Sequence, residues 1–309
     1  MKSVELLPQN SPTIIITDSG LGGLSVLALL ENKIRVCNLF NSPKLIFFNA
    51  YGGNNYGYNQ IKDFNKKLRQ FDYALTGMIN KFKPNLIMIA CNTLSVIYPL
   101  TETYKNSDVS ILGIVEFGLE LFYNKLSENE NSIIILYGTP TTISSDVYRQ
   151  KLIEKGISEN RIINQPCYNL ESEIQKNPAG ENVTRLIKHF TNEAVSDVLP
   201  EQIQGTKYFA ALCCTHYGYS INAFEKVLSE KFNKYEVLNP NKLMSDSVEL
   251  MSNSPAQHIS NEVSVVSRVE IPIEQIQSIG ELLKPASLKT YEALLNYQFI
   301  PDLFELISE

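Results

Sequence analysis

Tryptophan is absent from this sequence, histidine occurs only three times, and charged residues make up 19% of the chain. The lack of tryptophan removes a common platform on which bases or sugars stack. Acidic residues outnumber basic ones, 33 to 27, for a formal net charge of −6. Because a nucleic-acid-binding protein normally carries a basic stripe, we expect no nucleic acid among the partners.

Long hydrophobic segments are also lacking. Apolar runs such as residues 86–91 are far shorter than the roughly 20 residues that cross a bilayer. The N-terminus has no apolar region followed by a small-residue cleavage site. These two absences predict a cytoplasmic protein with no membrane partner.

The sequence has five cysteines, at positions 37, 91, 167, 213 and 214. Neither their number nor their context indicates a disulfide framework. An odd count without a secretory signal is not typical of paired cysteines. Structural zinc sites need Cys-x-x-Cys or His pairs at set spacings, and neither occurs here. We therefore expect no metal.

Short apolar segments alternate with longer amphipathic ones along most of the 309 residues. This alternation is typical of parallel sheets with helices on both faces, and the length suggests two domains. We predict an α/β fold with two similar parallel-sheet domains. The first comprises residues 13–106 with about 218–260, the second 107–217, and residues 261–309 form a helical C-terminal extension without chemistry of its own.

Two segments of the chain resemble each other. Residues 86–93 (LIMIACNT) and 209–216 (FAALCCTH) each read as a buried strand that ends at a cysteine followed by threonine. In open α/β sheets ligands bind at the carboxyl ends of the strands. A helix N-terminus also lowers the pKa of a thiol placed there, so we expect Cys91 and Cys214 to be reactive and Cys37 and Cys167 to be packing residues.

Other polar segments leave two interpretations open. Asp18, before a glycine-rich turn, either caps a helix or relays a proton beside a thiol. The threonine-rich turn at 139–142 either caps a helix or binds a carboxylate, and the loop at 51–58 is either flexible or closes over a ligand. His216 is either a core residue or a proton partner of Cys214.

Five motifs together resemble glutamate racemase, within the aspartate/glutamate racemase family. In chain order they are Asp18-Ser19-Gly20-x-Gly22-Gly23, Cys91-Asn92-Thr93, Gly113-Ile114-Val115-Glu116, Thr139-Pro140 and Cys214-Thr215-His216. The resemblance covers about residues 13–250. It implies an enzyme without a cofactor, with its active site in the cleft between the two domains.

The resemblance also implies a role for each site residue. Cys91 and Cys214 are the two catalytic thiols that transfer a proton at the α-carbon of glutamate, assisted by Asp18 and His216 respectively. The predicted substrate-binding residues are Asp18, Ser19, Tyr56, Gly57, Asn92, Thr93, Thr139, Thr142 and Thr215. Glutamate is the expected small-molecule partner, D-glutamate for peptidoglycan the expected product, and a homodimer one candidate assembly.

The sequence departs from the family pattern near the substrate. The family's Pro-Tyr-Gly is Asn55-Tyr56-Gly57 here. A family glutamate near the amino group has no clear counterpart: Gln175 stands at the expected distance from Cys167, with Glu171 and Glu173 close by. These changes keep three alternatives open. They are racemisation of another substrate such as aspartate or a hydantoin, a non-catalytic protein that binds an acidic metabolite, and a hydrolase that uses one cysteine as nucleophile.

Overall fold

The computed structural model describes residues 6–53, 57–198, 205–252 and 261–307. The chain divides into two compact units, Met1–Ile114 with Asn241–Glu309 and Val115–Pro240. No helix in the described ranges is long and apolar enough to cross a membrane.

Strands and helices alternate along both units. The strands are β1 (Thr13–Asp18), β2 (Lys44–Asn49), β3 (Leu86–Ile89), β4 (Ser110–Gly113), β5 (Ser132–Gly138), β6 (Ile162–Pro166), β7 (Lys207–Cys213), β8 (Lys234–Leu238), β9 (Glu262–Ser267) and β10 (Gln298–Phe299). The helices are α1 (Leu24–Cys37), α2 (Phe64–Phe82), α3 (Asn92–Ile97), α4 (Glu102–Asn106), α5 (Ile114–Glu128), α6 (Pro140–Ser144), α7 (Val147–Glu154), α8 (Leu170–Lys176), α9 (Glu181–Ala194), α10 (Ile221–Lys231), α11 (Asn241–Asp246), α12 (Ile273–Leu283) and α13 (Leu288–Leu295). Short 3-10 turns include Tyr58–Gln60 and Thr215–Ser220.

The first unit contains a six-stranded sheet in the order β10-β9-β2-β1-β3-β4, and every neighbouring pair is parallel. Its central strands are nearly continuous apolar runs because helices cover both faces of such a sheet. In register, Asp18 lies opposite Asn49 on β2, and Thr17 lies opposite Ile89 on β3. Asp18 and Cys91, just beyond β3, are therefore brought to the same edge.

The second unit contains a four-stranded parallel sheet in the order β6-β5-β7-β8. Gly138, at the end of β5, lies opposite Cys213, at the end of β7. Thr139 and Cys214 therefore follow neighbouring strand ends. The predicted fold class, two parallel-sheet α/β units, is confirmed.

The structure differs from the predicted domain boundaries in two places. Helix α10 and strand β8 belong to the second unit, because β8 pairs with β7 in register from Lys207↔Lys234 to Ala211↔Leu238. Residues 261–309 are not a helical extension, because β9 pairs with β2 along its whole length and β10 pairs with β9. The C-terminal segment therefore completes the sheet that carries Asp18 and Cys91.

Residues in the left-handed conformation mark two helix boundaries. Helix α1 is followed by Asn38, which adopts this conformation with φ 52°. Helices α6 and α7 are separate helices, with Asp146 in the left-handed conformation between them (φ 54°). Such a residue interrupts a right-handed helix.

The C-terminal segment is expected to contribute to the stability of the first unit. Leu294 on α13 is fully buried, whereas the adjacent Leu295 is 44% exposed. Leu294→Ala should lower the free energy of unfolding by about 2–5 kcal/mol. Leu295→Ala, the matched control, should change it by no more than about 0.5 kcal/mol. Urea denaturation of both variants checks this, and equal small effects would show that the segment is not part of the core.

Candidate active site

Cys91 lies between the buried strand β3 and the buried helix α3. It directly precedes α3, with an extended backbone (φ −78°, ψ 122°), and its side chain is buried. Its carbonyl accepts a hydrogen bond from the Ser95 amide at 2.8 Å. The end of β3 and the start of α3 together set the position of the thiol.

Asp18 and Ser19 lie beside this thiol. The Ser19 hydroxyl oxygen is 3.1 Å from the Cys91 sulfur, within hydrogen-bonding distance. The Ser19 amide donates to Asp18 Oδ1 at 2.6 Å, and the Ser19 hydroxyl is 3.5 Å from the same oxygen. A carboxylate, a hydroxyl and a thiol are therefore connected in the order needed for proton transfer.

Gly23 explains why the turn after β1 is rich in glycine. A Cβ atom at this position would lie 3.0 Å from the Cβ atoms of both Asp18 and Ala90, and 3.2 Å from Asp18 Oδ2. A side chain at residue 23 would therefore displace Asp18 or the residue before Cys91. The glycine at residue 23 therefore allows the backbone to pack closely against Asp18 and Ala90.

The electrostatic environment of Cys91 corrects one sequence-based expectation. A lowered thiol pKa was expected from the helix N-terminus, but burial, and then the negative charge of Asp18, raise the pKa of Cys91. Hydrogen bonds from the Ser19 hydroxyl and from the amides of Leu94 and Ser19 lower it, without offsetting the increase. Desolvation disfavours a thiolate more strongly than these donors favour it, so Cys91 is held as a thiol.

Tyr58 is a neighbour of Cys91 that sequence analysis did not select. Its side chain is 1% exposed and packs edge-on against Phe71. Burial and the charge of a Cys91 thiolate raise the pKa of its phenol. Among the described residues its hydroxyl has no hydrogen-bond partner. Three tyrosines occur at 51–58, and only the family match at Tyr56 distinguished one of them.

Of the two predicted substrate-binding residues in the loop at 51–58, the structure describes Gly57 and not Tyr56. The Gly57 amide donates to the Gln60 side chain at 3.0 Å, so it closes the local 3-10 turn. Tyr56 lies outside the described residues. Asn92 and Thr93 form the buried first turn of α3, directly after Cys91, so the structure places them beside the thiol.

The second unit presents Cys214 with His216. Cys214 follows the end of β7 in an extended conformation, and Thr215 and His216 begin the 3-10 turn. The Cys214 sulfur lies 3.9 Å from Nδ1 of His216. All three side chains are buried. This arrangement pairs a thiol with an imidazole able to accept or return its proton.

His216 also contacts α8 through its other nitrogen. Nε2 lies 2.8 Å from Oε1 of Gln175. The Ser220 hydroxyl, at the end of the 3-10 turn, donates to the carbonyl of Pro178 at 2.7 Å. This is a second hydrogen bond between the 3-10 turn and the segment that contains α8. The sequence located Gln175 by its distance from Cys167, but the hydrogen bond to His216 depends on folding.

Thr139 and Thr142 show the first of the two roles that the sequence left open, which is helix capping. Thr139 caps α6, since its hydroxyl oxygen accepts from the Thr142 amide at 3.3 Å, and the two hydroxyl oxygens are 3.0 Å apart. Both residues are buried. The cap orients two hydroxyls at the end of β5, next to the strand end that precedes Cys214.

Two further cysteines, Cys167 and Cys213, lie in the interior of the second unit, and the Cys167 thiol donates to the carbonyl of Gln165 at 3.5 Å. Cys213 is fully buried as the last residue of β7, and Cys167 is fully buried after β6. In the parts of the chain that the structure describes, no group of three or more His, Cys, Asp or Glu side chains is arranged to hold a metal ion.

The opposing influences of Asp18 and Ser19 on Cys91 can be measured by alkylation. Asp18→Asn removes a negative charge and should lower the pKa of Cys91, so the thiolate fraction at pH 8 rises and iodoacetamide reacts faster. Ser19→Ala removes a hydrogen bond to the thiolate and should slow the reaction. Mass spectrometry of the Cys91 peptide, with Cys37 as internal reference, gives both rates; changes in the same direction would contradict this electrostatic account.

Two of the three comparisons with known proteins find glutamate racemases similar to this chain. No family model matches the sequence. Glutamate racemase of Syntrophus aciditrophicus (strain SB) is 27% identical over 297 residues, 92% of this chain and 98% of the relative. The structure of Francisella tularensis subsp. tularensis SCHU S4 glutamate racemase in complex with D-glutamate has a TM-score of 0.65 at 20% identity, covering 90% of this chain and 95% of that one.

A second solved structure extends this agreement. Escherichia coli glutamate racemase, solved in complex with L-glutamate and the activator UDP-MurNAc-Ala, has a TM-score of 0.62 at 16% identity and covers 90% of this chain and 96% of its own. The structural likenesses establish the fold, and the sequence likeness spans nearly the whole chain. The predicted resemblance is confirmed: this chain is related in sequence and in fold to the glutamate racemases.

Proposed function

We propose that this chain, whose relatives mark it as an amino-acid racemase, interconverts L- and D-glutamate without a cofactor. The observation that carries the proposal is the matched position of two thiols. Cys91 and Cys214 each follow the carboxyl end of a central parallel strand, one in each unit, and each lies beside a group that handles protons.

The chemistry requires two such groups. The α-proton of an amino acid is very weakly acidic, so its removal needs an aimed base and stabilisation of the developing carbanion. One sulfur, as thiolate, accepts the α-proton while the other, as thiol, donates a proton to the opposite face. One C–H bond breaks, another forms, and the two sulfurs exchange protonation states. The reverse reaction uses the same pair in exchanged roles.

Each thiol has its own assistant in this proposal. Asp18 acts beside Cys91 through Ser19, whose hydroxyl is within hydrogen-bonding distance of the sulfur. His216 acts beside Cys214, with Nδ1 facing that sulfur. The raised pKa of Cys91 favours its thiol form in the free protein. We therefore propose that, in the first turnover of the free protein, Cys91 donates a proton to the substrate and Cys214 accepts the α-proton.

Substrate selection rests on hydroxyl and amide groups near the strand ends. Ser19, Asn92, Thr93 and Thr215 would hold the α-carboxylate and amine, and the paired hydroxyls of Thr139 and Thr142 would receive the side-chain carboxylate. D-Glutamate in the Francisella structure and L-glutamate in the Escherichia structure support this substrate. We propose that the product supplies peptidoglycan synthesis. Cytoplasmic location, a homodimer and the role of Tyr56 stay predictions.

The thiols can be tested individually. Cys91→Ser and Cys214→Ser should each lower kcat for racemisation by at least about 100-fold, since each removes one of the two acid–base groups. Cys37→Ser, at the end of α1, is the matched control and should retain the activity. Circular dichroism of glutamate follows the reaction from either enantiomer. Full activity in either active-site variant would reject the two-thiol mechanism.

A substrate panel separates glutamate from the alternatives. With equal concentrations of glutamate, aspartate and a hydantoin, we expect loss of optical rotation with glutamate only, the amino acid bound in the Francisella and Escherichia structures. Faster racemisation of aspartate or the hydantoin would replace the proposed substrate. Binding of glutamate without racemisation would instead indicate a non-catalytic protein.

A further inference from the structure

We propose that Gln175 is a positioning residue that fixes the tautomer of His216, so that the unprotonated Nδ1 atom faces the thiol of Cys214. The inference rests on the proposed function for its role in catalysis, but its geometry is independent of it. Nε2 of His216 lies 2.8 Å from Oε1 of Gln175, and Nδ1 lies 3.9 Å from the Cys214 sulfur.

The tautomer follows from the inventory of donors and acceptors. A neutral imidazole carries one N–H and one lone pair, and the partner of one nitrogen decides which nitrogen holds the proton. The Gln175 amide oxygen has no hydrogen and can only accept, so Nε2 of His216 must donate to it. The lone pair is then on Nδ1, on the side of Cys214.

This placement sets the direction of proton transfer. The Cys214 S–H bond breaks, its electron pair stays on sulfur, and the proton bonds to Nδ1, giving a thiolate and an imidazolium. The thiolate then accepts the α-proton of the substrate. With the other tautomer, an N–H group would face the sulfur and no base would be available to Cys214.

The surrounding structure holds Gln175 and His216 close together. Gln175 lies on α8, and His216 lies on a 3-10 turn that packs against that helix. The apolar side of both segments enters one buried cluster with Ile174 and Tyr217. Because packed side chains and a second hydrogen bond, from Ser220 to Pro178, hold the two backbones together, the amide reaches the ring without closure of a loop.

An amide at residue 175 differs in charge from a carboxylate. A carboxylate at this position would attract the proton of an imidazolium and stabilise it. A neutral amide orients the ring and fixes its proton without adding a negative charge beside Cys214. The Gln175 side chain thus supplies an acceptor for Nε2 without a charge.

Nitrogen NMR of the histidines reads the tautomer directly. The full chain labelled with ¹⁵N-histidine has three imidazoles, and His216→Asn identifies the signals of residue 216. In the wild type we expect a protonated Nε2 and an unprotonated Nδ1. For the neutral ring we expect the same pattern in Gln175→Glu, which keeps an oxygen acceptor. In Gln175→Met, which keeps the length but removes the acceptor, we expect the protonated-Nδ1 form to become populated.

Another glutamine of the second unit supplies the control. Gln165 is buried on β6 and donates to Glu193 at 2.9 Å. Gln165→Met should leave the His216 signals unchanged, so a general loosening of the unit is distinguished from loss of the Gln175 contact. A protonated Nδ1 in the wild type, or signals unchanged in Gln175→Met, would overturn the proposal.

Kinetics then connect the tautomer to the reaction. Gln175→Met should lower kcat by roughly 100-fold, the size of one acid–base contribution, with a small effect on KM, and Gln175→Glu should recover part of the loss. A normal kcat with an altered tautomer would overturn the catalytic role. An inactive wild type with the expected tautomer would reject the proposed function and leave the positioning role intact.

Discussion

The structure depends on one constraint, which is that each thiol must follow the carboxyl end of a strand in the middle of a parallel sheet. Strands β3 and β7 carry buried apolar side chains on both faces. The chain therefore changes direction only where each strand ends. Small residues allow the close packing there. A Cβ at Gly138 would lie 3.0 Å from Ile143 and 3.3 Å from Cys213, just as one at Gly23 would meet Asp18.

The two thiols share a position but differ in chemistry. Cys91 lies near a carboxylate and a hydroxyl in a buried environment that raises its pKa. Cys214 lies near an imidazole whose other nitrogen contacts an amide. A two-base reaction needs one thiol and one thiolate at the start of each turnover. In the proposed mechanism, the different neighbours of the two sulfurs establish that difference before the substrate binds.

The sequence predicted those parts of the fold and site whose signal is local. The buried strands β1, β3, β5 and β7 are short apolar runs, and the cysteine that follows β3 or β7 was located from the sequence alone. Strand β8 (KYEVL) was missed because it is a half-buried edge strand with charged residues. The residues of β9 were recognised only in part, and their pairing with β2 joins positions more than 200 residues apart, which no local pattern specifies.

The same distinction applies to the site. Asp18, Ser19 and His216 stand next to recognisable motifs, so sequence identified them. The raised pKa of Cys91 depends on burial and on a carboxylate 73 residues away in the chain. Tyr58 and the contact of Gln175 with His216 likewise arise from packing. Motifs therefore identified the groups that we propose to react, whereas their neighbours became evident only from the three-dimensional arrangement.

The central claim is that different sulfur atoms serve the two faces of one α-carbon. Its most direct measurement is the early reaction of each glutamate enantiomer in deuterated water, with product and remaining substrate separated and analysed for deuterium at Cα. The account predicts deuterium in the product and ordinary hydrogen in the unreacted substrate, from both directions. Deuterium entering the substrate as fast as the product forms, or hydrogen carried directly into the product, would contradict it.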